Sequence, residues 1–248
     1  MFDISNCLAT FYPESRFGGF SDVDGTMAFY LRVNSLLSSQ SVVADFGCGA
    51  GEYSSGRVEA SLRQRVLKGK VRTVVGLDVD ASAALNPFID EFHKVCEGSR
   101  WSLTDSSVDL ILCDQVLEHI RDVGWFFSEA RRVLRSGGHL CIRTTNAFSY
   151  VGFISRLVPN KWHKNVLRTV QRNRKQDDVF PTVYRCNTVW ALRRALARQG
   201  FDAVVYGHGA EPSYLEFSKA AYAFGVLLHK LSPSAICPAL FAFGRVLK

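Results

Sequence analysis

The sequence predicts an α/β fold in which helices cover both faces of a doubly wound, mostly parallel sheet. Three largely apolar runs carry this prediction: Val42–Ala44, Val71–Leu77 and Val108–Cys113. Polar or glycine-rich residues follow each run. Runs of this length, rich in β-branched residues, are typical of parallel strands buried on both faces. Ligands bind such sheets at the carboxyl ends of the strands. The polar residues after each run are therefore the first candidates for a site.

The amino-acid composition indicates the class of protein, its cellular compartment and the charge of its partners. The chain has 248 residues, 47% of them hydrophobic, and a formal net charge of +7, which suits one α/β domain with additional segments. No run of 18 apolar residues is present, and Met1–Thr10 lacks the pattern of a secretory leader. The seven scattered cysteines, without a C-x-x-C pair, indicate buried thiols in a reducing compartment, so we expect a cytoplasmic protein. The basic balance favours an anionic partner: nucleic acid, anionic lipid or a phosphate-bearing substrate.

The first apolar run leads into a turn that reads D-F-G-C-G-A-G. Gly47, Gly49 and Gly51 lack a Cβ, so backbone in this turn is able to approach a ligand closely. A helix predicted over Glu52 to Leu67 completes a nucleotide-binding βα unit. The spacing differs from the G-x-G-x-x-G of dinucleotide sites, because Asp45 stands two residues before the first glycine.

A second acid, Asp78, ends the next predicted strand. An acid at this place accepts hydrogen bonds from both ribose hydroxyls of an adenosine. The distance from Asp45 along the chain is longer than the usual separation of about 20 residues. Asp80 we interpret as the N-cap of a short helix, and Phe92–Val95 predicts a short third strand.

The third motif reads D-x-S-x-D-L-I followed by L-E-H, from Asp105 to His119. A turn leads into the buried strand Val108–Cys113. Polar residues follow at the end of this strand, where the rule for open α/β sheets places ligands.

Together these motifs resemble the class I methyltransferases that use S-adenosylmethionine (SAM), and within them the type-11, ubiquinone-biosynthesis-like family. L-R-x-G-G-x-L at Leu134–Leu140 also matches, so the resemblance covers about residues 10–146. It implies a Rossmann-like seven-stranded sheet in the order 3-2-1-4-5-7-6, with helices on both faces and a helical C-terminal insertion. It also implies three parts: an N-terminal lid and helix at 1–41, a SAM-binding core at 42–146, and a substrate-side insertion with the last strands at 147–248.

The resemblance assigns the glycine turn to the methionine end of SAM or its product S-adenosylhomocysteine. Asp45 orients the turn or receives the amino group of SAM through water. Gly47, Cys48 and Gly49 bring backbone to the amino-acid moiety. For Gly51 we rate packing between helix and strand as an equally good explanation.

The same resemblance assigns the remaining cofactor contacts. Asp78, followed by Val79, holds the ribose, and Glu97 contacts the adenine edge. Asp114 or Gln115 contacts the methionine end.

Two acids near the third strand are substitutes for Glu97. Asp90 and Glu91 take its role if the loop is threaded differently. A solvated charge at Glu97 is the plain alternative.

His119 is the candidate general base. In the family the Glu118–His119 pair also braces the following helix, which we favour. Some related O-methyltransferases hold a divalent metal with E-x-x-E-H. Here Gln115 stands at the first position and removes a charged ligand, so we expect no metal. Tyr12, His163 and His208 are further candidates near the cleft, or ordinary structural groups.

The segments outside the motifs are less regular. Phe11–Phe20 predicts a loop that suits a lid, and Ser21–Asp24 predicts a capping box for a helix that ends near Leu37. The remaining predicted elements are the helix Trp125–Leu134, a helix-ending turn at Ser136–Gly138, the strand His139–Asn146, the loop Val179–Arg185, the helix Thr188–Gln199, and the strands Phe201–Tyr206 and Leu240–Val246.

Two C-terminal stretches bear on partners. Lys161–Lys175 is strongly basic and suits an anionic small-molecule or lipid-linked acceptor, an RNA backbone with Trp162 stacking, or a solvated helix face. We favour the first, because no RNA-binding module is recognised. Glu216–Leu231 is apolar nearly all round and predicts a core helix, a homodimer interface or peripheral contact at the inner membrane surface.

The sequence thus predicts a SAM-dependent methyltransferase acting on a small-molecule, sugar or lipid-linked acceptor. A weak resemblance of D-V-F-P-T-V-Y-R to enzymes of surface-polysaccharide biosynthesis points the same way. The alternatives are an RNA methyltransferase that uses the basic C-terminal region, or a non-catalytic SAM-binding scaffold.

Overall fold

The computed structural model of the protein describes residues 4–51, 58–157 and 181–247. In this part of the chain, seven strands form one sheet in the order β3-β2-β1-β4-β5-β7-β6, as predicted. The strands β1 to β5 pair in parallel, and β7 lies antiparallel between β5 and β6. Their bounds are β1 Val42–Phe46, β2 Thr73–Asp78, β3 Glu91–Lys94, β4 Val108–Asp114, β5 Leu134–Thr145, β6 Phe201–His208 and β7 Ala239–Val246.

The described α-helices connect these strands or flank them. Short 3₁₀ turns, such as Pro13–Arg16 and Ala81–Leu85, lie between them. The helices are α1 Ile4–Phe11, α2 Gly25–Ser35, α3 Glu59–Arg65, α4 Val123–Val133, α5 Tyr150–Leu157, α6 Val189–Arg198 and α7 Lys219–Leu231.

Each face of the sheet has its own hydrophobic core, because successive side chains of a strand point to opposite faces. On one face Ala44 and Ile111 pack with Phe126 of α4 and with residues of α6. On the other face Val43 and Leu110 pack with residues of α2. This is the doubly wound arrangement that the apolar runs predict.

Side-chain caps fix where several helices begin. Asp24 accepts hydrogen bonds from the amides of Thr26 and Met27, so α2 begins at Gly25. The capping box predicted at Ser21–Asp24 is therefore wrong in detail, since the Ser21 hydroxyl donates to Glu211 instead. A side-chain oxygen at the N-cap satisfies amides that have no partner within the helix.

The turn predicted at Ser136–Gly138 is also wrong, because these residues lie inside β5. Helix α4 stops at Val133, where Leu134 is already extended. Val108 pairs with Leu134, but Leu110 pairs with His139, so the register between β4 and β5 shifts. The extra residues form a bulge, which keeps the strand continuous.

Two other boundaries differ from the sequence prediction. The helix predicted over Glu52–Leu67 is described only as α3, which ends at Arg65, and residues 52–57 lie outside the described part. The segment Phe11–Phe20, predicted to be a loop, contains the end of α1 and the 3₁₀ turn Pro13–Arg16. Tyr12 is buried there, against Tyr222 of α7, and is not part of an open lid surface.

Helix α7 begins at Lys219, three residues later than predicted. Its buried residues are Tyr222, Gly225 and Val226. Among the described residues, no helix combines the length and apolar character needed to cross a membrane.

Candidate functional site

The carboxyl ends of the parallel strands bring the predicted polar residues to one edge of the sheet. Asp45 is the penultimate residue of β1, Asp78 ends β2, and Asp114 ends β4. Phe46 pairs with Leu77 and with Cys113, so these ends lie side by side. The three acids that the motifs single out therefore share one edge.

The glycine turn adopts the left-handed conformations that the residue type permits. Gly47, Gly49 and Gly51 have φ values of +76°, +55° and +80°. A Cβ at Gly47 would lie 2.2 Å from Val116 Cγ2, so the absence of a side chain lets the loop after β4 approach the turn. A Cβ at Gly49 would meet no described atom within 4 Å. The space beside Gly49 is therefore a place where a ligand can meet backbone.

Asp78 holds the turn in place from the neighbouring strand. Its Oδ2 accepts a hydrogen bond from the Gly49 amide at 2.9 Å, and its Oδ1 accepts from the Asp80 amide at 2.9 Å. A carboxylate offers about four acceptor positions, so the carboxylate of Asp78 keeps capacity for ligand hydroxyls. Val79 follows directly and has an exposed side chain.

Asn86 is a further residue of the site that sequence reasoning missed. Its Nδ2 donates to the carbonyls of Cys48 and Gly49, at 2.9 and 3.0 Å. We interpreted Asn86-Pro87 only as a helix-breaking pair. The sequence did contain a signal for this role, because an asparagine before a proline is typical of a turn in which the asparagine side chain forms hydrogen bonds to backbone. Cys48 itself is buried, with its Sγ filling the space left by Gly76.

Asp45 is the acid in the site that lacks a fixed partner. Within the described residues no hydrogen bond to its carboxylate is formed. Burial raises its pKa to about 7, and the nearby carboxylates Asp114 and Asp78 act in the same direction, against the guanidinium of Arg65. A carboxylate at the end of a strand, with a pKa of about 7 and no hydrogen-bond partner among the described residues, is typical of a functional group.

Asp114 reaches the predicted edge, but its carboxylate is bound within the protein. Arg143 donates to both oxygens, at 2.6 and 2.7 Å, and the Tyr30 hydroxyl donates at 2.9 Å. Arg143 also donates to Thr26 and lies 5.5 Å from the centre of the Phe29 ring. Burial acts to raise the pKa of Asp114, but the adjacent Arg143 keeps it below its ordinary value.

This cluster, Tyr30–Asp114–Arg143, joins α2 to the ends of β4 and β5. Sequence reasoning missed Tyr30 and Arg143, because no local pattern connects residues separated by 84 and 29 positions from Asp114. Helix α2 of the N-terminal segment therefore lies against the site edge.

The residues after β4 form a polar loop. Gln115 is exposed and has φ +58°, and its amide donates to the Arg143 carbonyl. Glu118 is buried; its Oε2 accepts from the Thr144 hydroxyl at 2.6 Å. Burial raises the pKa of Glu118, partly opposed by His119. The Nδ1 of His119 lies 3.2 Å from the Pro181 carbonyl.

Glu97 and its two substitutes lie in different places. Glu97 is exposed in the loop after β3, and its carboxylate accepts from the amide of Asp122, the N-cap of α4. Asp90 accepts from the Val74 amide near the start of β2, and Glu91 begins β3. Both substitutes lie at the opposite end of the strands from Asp78, so the structure excludes them from its surroundings.

The other candidates separate in the same way. His208 stacks on Phe241 at 4.6 Å, and its Nε2 lies 3.1 Å from the Val23 carbonyl, so it is a structural group. His163 and the basic stretch Lys161–Lys175 lie outside the described residues. In residues 4–51, 58–157 and 181–247, no three His, Cys, Asp or Glu side chains are grouped to hold a metal ion.

Comparison with known proteins shows what this chain is similar to. Residues 44–142 match the family model described as a methyltransferase domain. A "Probable S-adenosylmethionine-dependent methyltransferase" of Mycolicibacterium smegmatis is 32% identical over 113 residues, 44% of this chain and 39% of that protein. A ubiquinone biosynthesis O-methyltransferase of Cupriavidus pinatubonensis is 26% identical over 137 residues, 54% of this chain and 53% of that protein.

A solved structure extends the likeness over the whole fold. The [4+2]-cyclase SpnF superposes with a TM-score of 0.56 and 17% identity, over 97% of this chain and 93% of that one. Identity this low shows the fold alone, and a fold hosts different reactions.

The sheet order and the glycine turn at its carboxyl edge define a Rossmann-like fold of the class I methyltransferase type. Residues 44–142 are similar to this methyltransferase-domain family. The chain spans 39% and 53% of the length of the two curated relatives above.

Proposed function

We propose that the protein transfers a methyl group from SAM to an acceptor. The observation that carries this proposal is the carboxylate of Asp45, which accepts no hydrogen bond from the described residues, at the end of the strand that leads into the glycine turn with its open space at Gly49. SAM supplies an electrophilic methyl group on a sulfonium, together with an amino-acid moiety and an adenosine. An anionic group next to free backbone suits the cationic amino group of that moiety.

In this proposal, the residues at the carboxyl ends of the strands contact different parts of SAM. Gly47 and Gly49 offer backbone to the amino-acid moiety, and Asp45 attracts its amino group. Asp78 accepts from the ribose hydroxyls with the positions that Gly49 and Asp80 leave open, and Val79 contacts the adenosine. Cys48 acts through the backbone of the turn, because its thiol is buried.

One of the predicted contacts takes a changed role in this proposal, and two keep theirs. Asp114 acts as a positioning residue, since its oxygens are bound to Arg143 and Tyr30. Gln115, which is exposed, remains the proposed contact for the methionine end. Glu97 remains the proposed contact for the adenine edge, and its bond to the Asp122 amide orders the loop that carries it.

The chemistry needs little beyond positioning. Methyl transfer from a sulfonium is an in-line displacement, and holding donor and acceptor in line lowers the barrier. For a hydroxyl acceptor a base assists. We assign His119 a bracing role, because Nδ1 is close to the Pro181 carbonyl at 3.2 Å.

For the acceptor we propose a small molecule, a sugar or a lipid-linked compound. One curated relative is named for O-methylation in ubiquinone biosynthesis, which supports an acceptor of small-molecule or lipid-linked type. The N-terminal segment 1–41 and the region 147–248 are the proposed acceptor-side parts. The contacts of Tyr30 and Thr26 with the edge support the first of these.

The test has two stages. Isothermal titration calorimetry measures S-adenosylhomocysteine binding to the wild type and to Asp45→Asn. Labelled methyl transfer from SAM is then measured with small-molecule, lipid and RNA fractions. Transfer to the lipid or small-molecule fraction supports the proposal. Transfer to RNA with a steep salt dependence would identify the alternative acceptor. Binding without transfer to any fraction would identify a scaffold, and an absence of binding would refute the cofactor site.

A further inference from the structure

Helix α7 has two apolar sides, and the protein fold uses one of them. Tyr222, Gly225 and Val226 face inward, where Phe11 of α1 packs on Tyr222 with ring centres 5.4 Å apart. A Cβ at Gly225 would lie 2.6 Å from Pro212, so this side is tightly packed. The inward side alone therefore anchors the helix.

The opposite side carries an apolar stripe that nothing in the described structure covers. The stripe consists of Ala220, Phe224, Leu227 and Leu231, which follow each other at intervals of three and four residues and so share one side of the helix. The exposed fractions of Phe224, Leu227 and Leu231 are 63%, 55% and 74%. Phe217, just before the helix, is 64% exposed. Large apolar side chains grouped in this way mark an interaction surface.

A neighbouring helix adds exposed aromatic residues. Tyr150, at the start of α5, lies against His229 of α7, with ring centres 5.6 Å apart. Phe148 and Phe153 flank Tyr150 and are both largely exposed.

Charge decides between the candidates for what covers the stripe. Helix α7 contains Lys219 and Lys230, both exposed, and no acidic residue. The chain as a whole has a formal charge of +7. If two copies paired antiparallel through the stripe, Lys219 of one copy would lie near Lys230 of the other, without an acid on the helix to compensate. An anionic lipid surface complements both the stripe and its lysines.

We infer that α7 is a docking helix that lies in the surface of an anionic bilayer through Phe224, Leu227 and Leu231. Amphipathic helices with Phe and Leu on one side and flanking lysines bind in the plane of such surfaces. The helix has 13 residues, which is shorter than a bilayer-spanning helix of about 20. This inference is independent of the methyl-transfer proposal, because it uses no residue of the cofactor edge.

The experiment is co-sedimentation of the full chain with vesicles of phosphatidylcholine containing about one quarter phosphatidylglycerol, compared with phosphatidylcholine alone. We expect binding to the anionic vesicles. The double variant Phe224→Ser, Leu227→Ser should lower the partition coefficient by about tenfold or more. Lys219→Gln and Lys230→Gln should each lower it about fivefold, and for the anionic vesicles only.

Helix α6 supplies matched controls, since it exposes Trp190 and Arg198. Trp190→Ser and Arg198→Gln should leave vesicle binding unchanged. Thermal melts and binding of S-adenosylhomocysteine should be unchanged in the α7 variants, which shows that they fold.

Three results would overturn the inference. They are no binding of the wild type to anionic vesicles, equal loss in the α6 and α7 variants, or a dimer in sedimentation velocity that the double α7 variant abolishes. The last result would identify a second copy as the occupant of the stripe.

Discussion

The carboxylate of Asp78 accepts a hydrogen bond from the amide of Gly49 at 2.9 Å, across 29 positions of the chain. This bond ties the end of β2 to the glycine turn after β1. The acid that the resemblance assigns to the ribose therefore also sets the conformation of the turn assigned to the amino-acid moiety. Loss of Asp78 should affect both ends of the proposed cofactor.

Asp78→Ala is expected to raise the Kd for S-adenosylhomocysteine by about tenfold to a hundredfold, because hydrogen bonds to a charged group contribute about 1.5–3 kcal/mol each. Isothermal titration calorimetry gives the Kd, and a urea titration shows whether the variant is folded. Asp80→Ala is the matched control two residues away. It removes only an exposed N-cap and should leave the Kd unchanged. An unchanged Kd in folded Asp78→Ala would contradict the assignment.

Gly49→Ala places a methyl group in the space where we expect the ligand. It should abolish measurable binding of S-adenosylhomocysteine and cost about 1 kcal/mol of unfolding free energy, because φ is positive there. Gly69→Ala is the control, since its φ is +82° and a Cβ there also meets no described atom within 4 Å. It should lose similar stability and bind normally. Equal binding by both variants would rule out backbone contact at Gly49.

Gly47→Ala tests the packing role of the turn. Its Cβ would lie 2.2 Å from Val116 Cγ2, so the variant should be less stable than Gly49→Ala by more than about 1 kcal/mol. Chemical unfolding measures the difference. Stabilities that match within error would mean that the loop after β4 relaxes to accept the methyl group.

The raised pKa of Asp45, about 7, predicts a pH-dependent affinity. The ionised carboxylate attracts the cationic amino group, and below the pKa binding must first release a proton. Affinity for S-adenosylhomocysteine should therefore rise from about pH 6 to about pH 8, with a slope approaching one decade per pH unit on the acid side. Asp45→Asn should bind weakly and with a flat profile over this range.

Asp45 also predicts a pH dependence of stability, which runs opposite to that of the affinity. A carboxyl whose pKa is raised in the folded state binds more protons folded than unfolded, so its contribution to stability falls as the pH rises from about 4 toward 7. Asp45→Asn should be more stable than the wild type at about pH 8, and the gap should close toward acid pH. A constant gap across this range would show that Asp45 does not titrate as described.

The Tyr30–Asp114–Arg143 cluster predicts a large stability loss on truncation. Arg143→Ala leaves Asp114 buried with Arg65, 3.6 Å from its Oδ2, as the only cation that pairs with it in the described part of the chain, and should cost about 3 kcal/mol of unfolding free energy. Tyr30→Phe removes one hydrogen bond to the same carboxylate and should cost about 1–3 kcal/mol. Urea titrations of the two single variants and the double variant give the coupling energy. Strictly additive losses would show that Tyr30 and Arg143 do not act on Asp114 together.

Substitutions of His119 distinguish a structural role in the loop from a role as general base. If His119 supports the loop through the Pro181 carbonyl, His119→Asn keeps a donor at a similar place and should retain most turnover, whereas His119→Ala should lose about 1 kcal/mol of stability. Methyl-transfer rates and unfolding curves measure both effects. Complete loss of turnover in a stable His119→Asn would instead identify a base.

Local patterns predicted the positions of the strands, but they placed the start of β5 at His139 rather than at Leu134. The apolar runs before Asp45 and Asp78 predicted β1 and β2 within two residues, and β6 and β7 began within one residue of their predicted starts. Strand order itself came from the resemblance of the motifs, and the structure has that order. The bulge in β5 was missed, because Ser136–Gly138 has the composition of a helix-ending turn and its pairing with β4 is not a local property.

Within the site, the sequence determined which residue types stand at the strand ends. Both the glycine turn and the acid at the end of each strand are recognised from a short stretch of neighbouring residues. Tertiary structure decided what those acids do. Asp114 and Asp45 look alike in sequence, yet one is bound by Arg143 and Tyr30 while the other has no fixed partner among the described residues. Partner choice of this kind depends on which distant side chains the packed fold brings within hydrogen-bond distance, and a charge's burial and pKa follow from that choice.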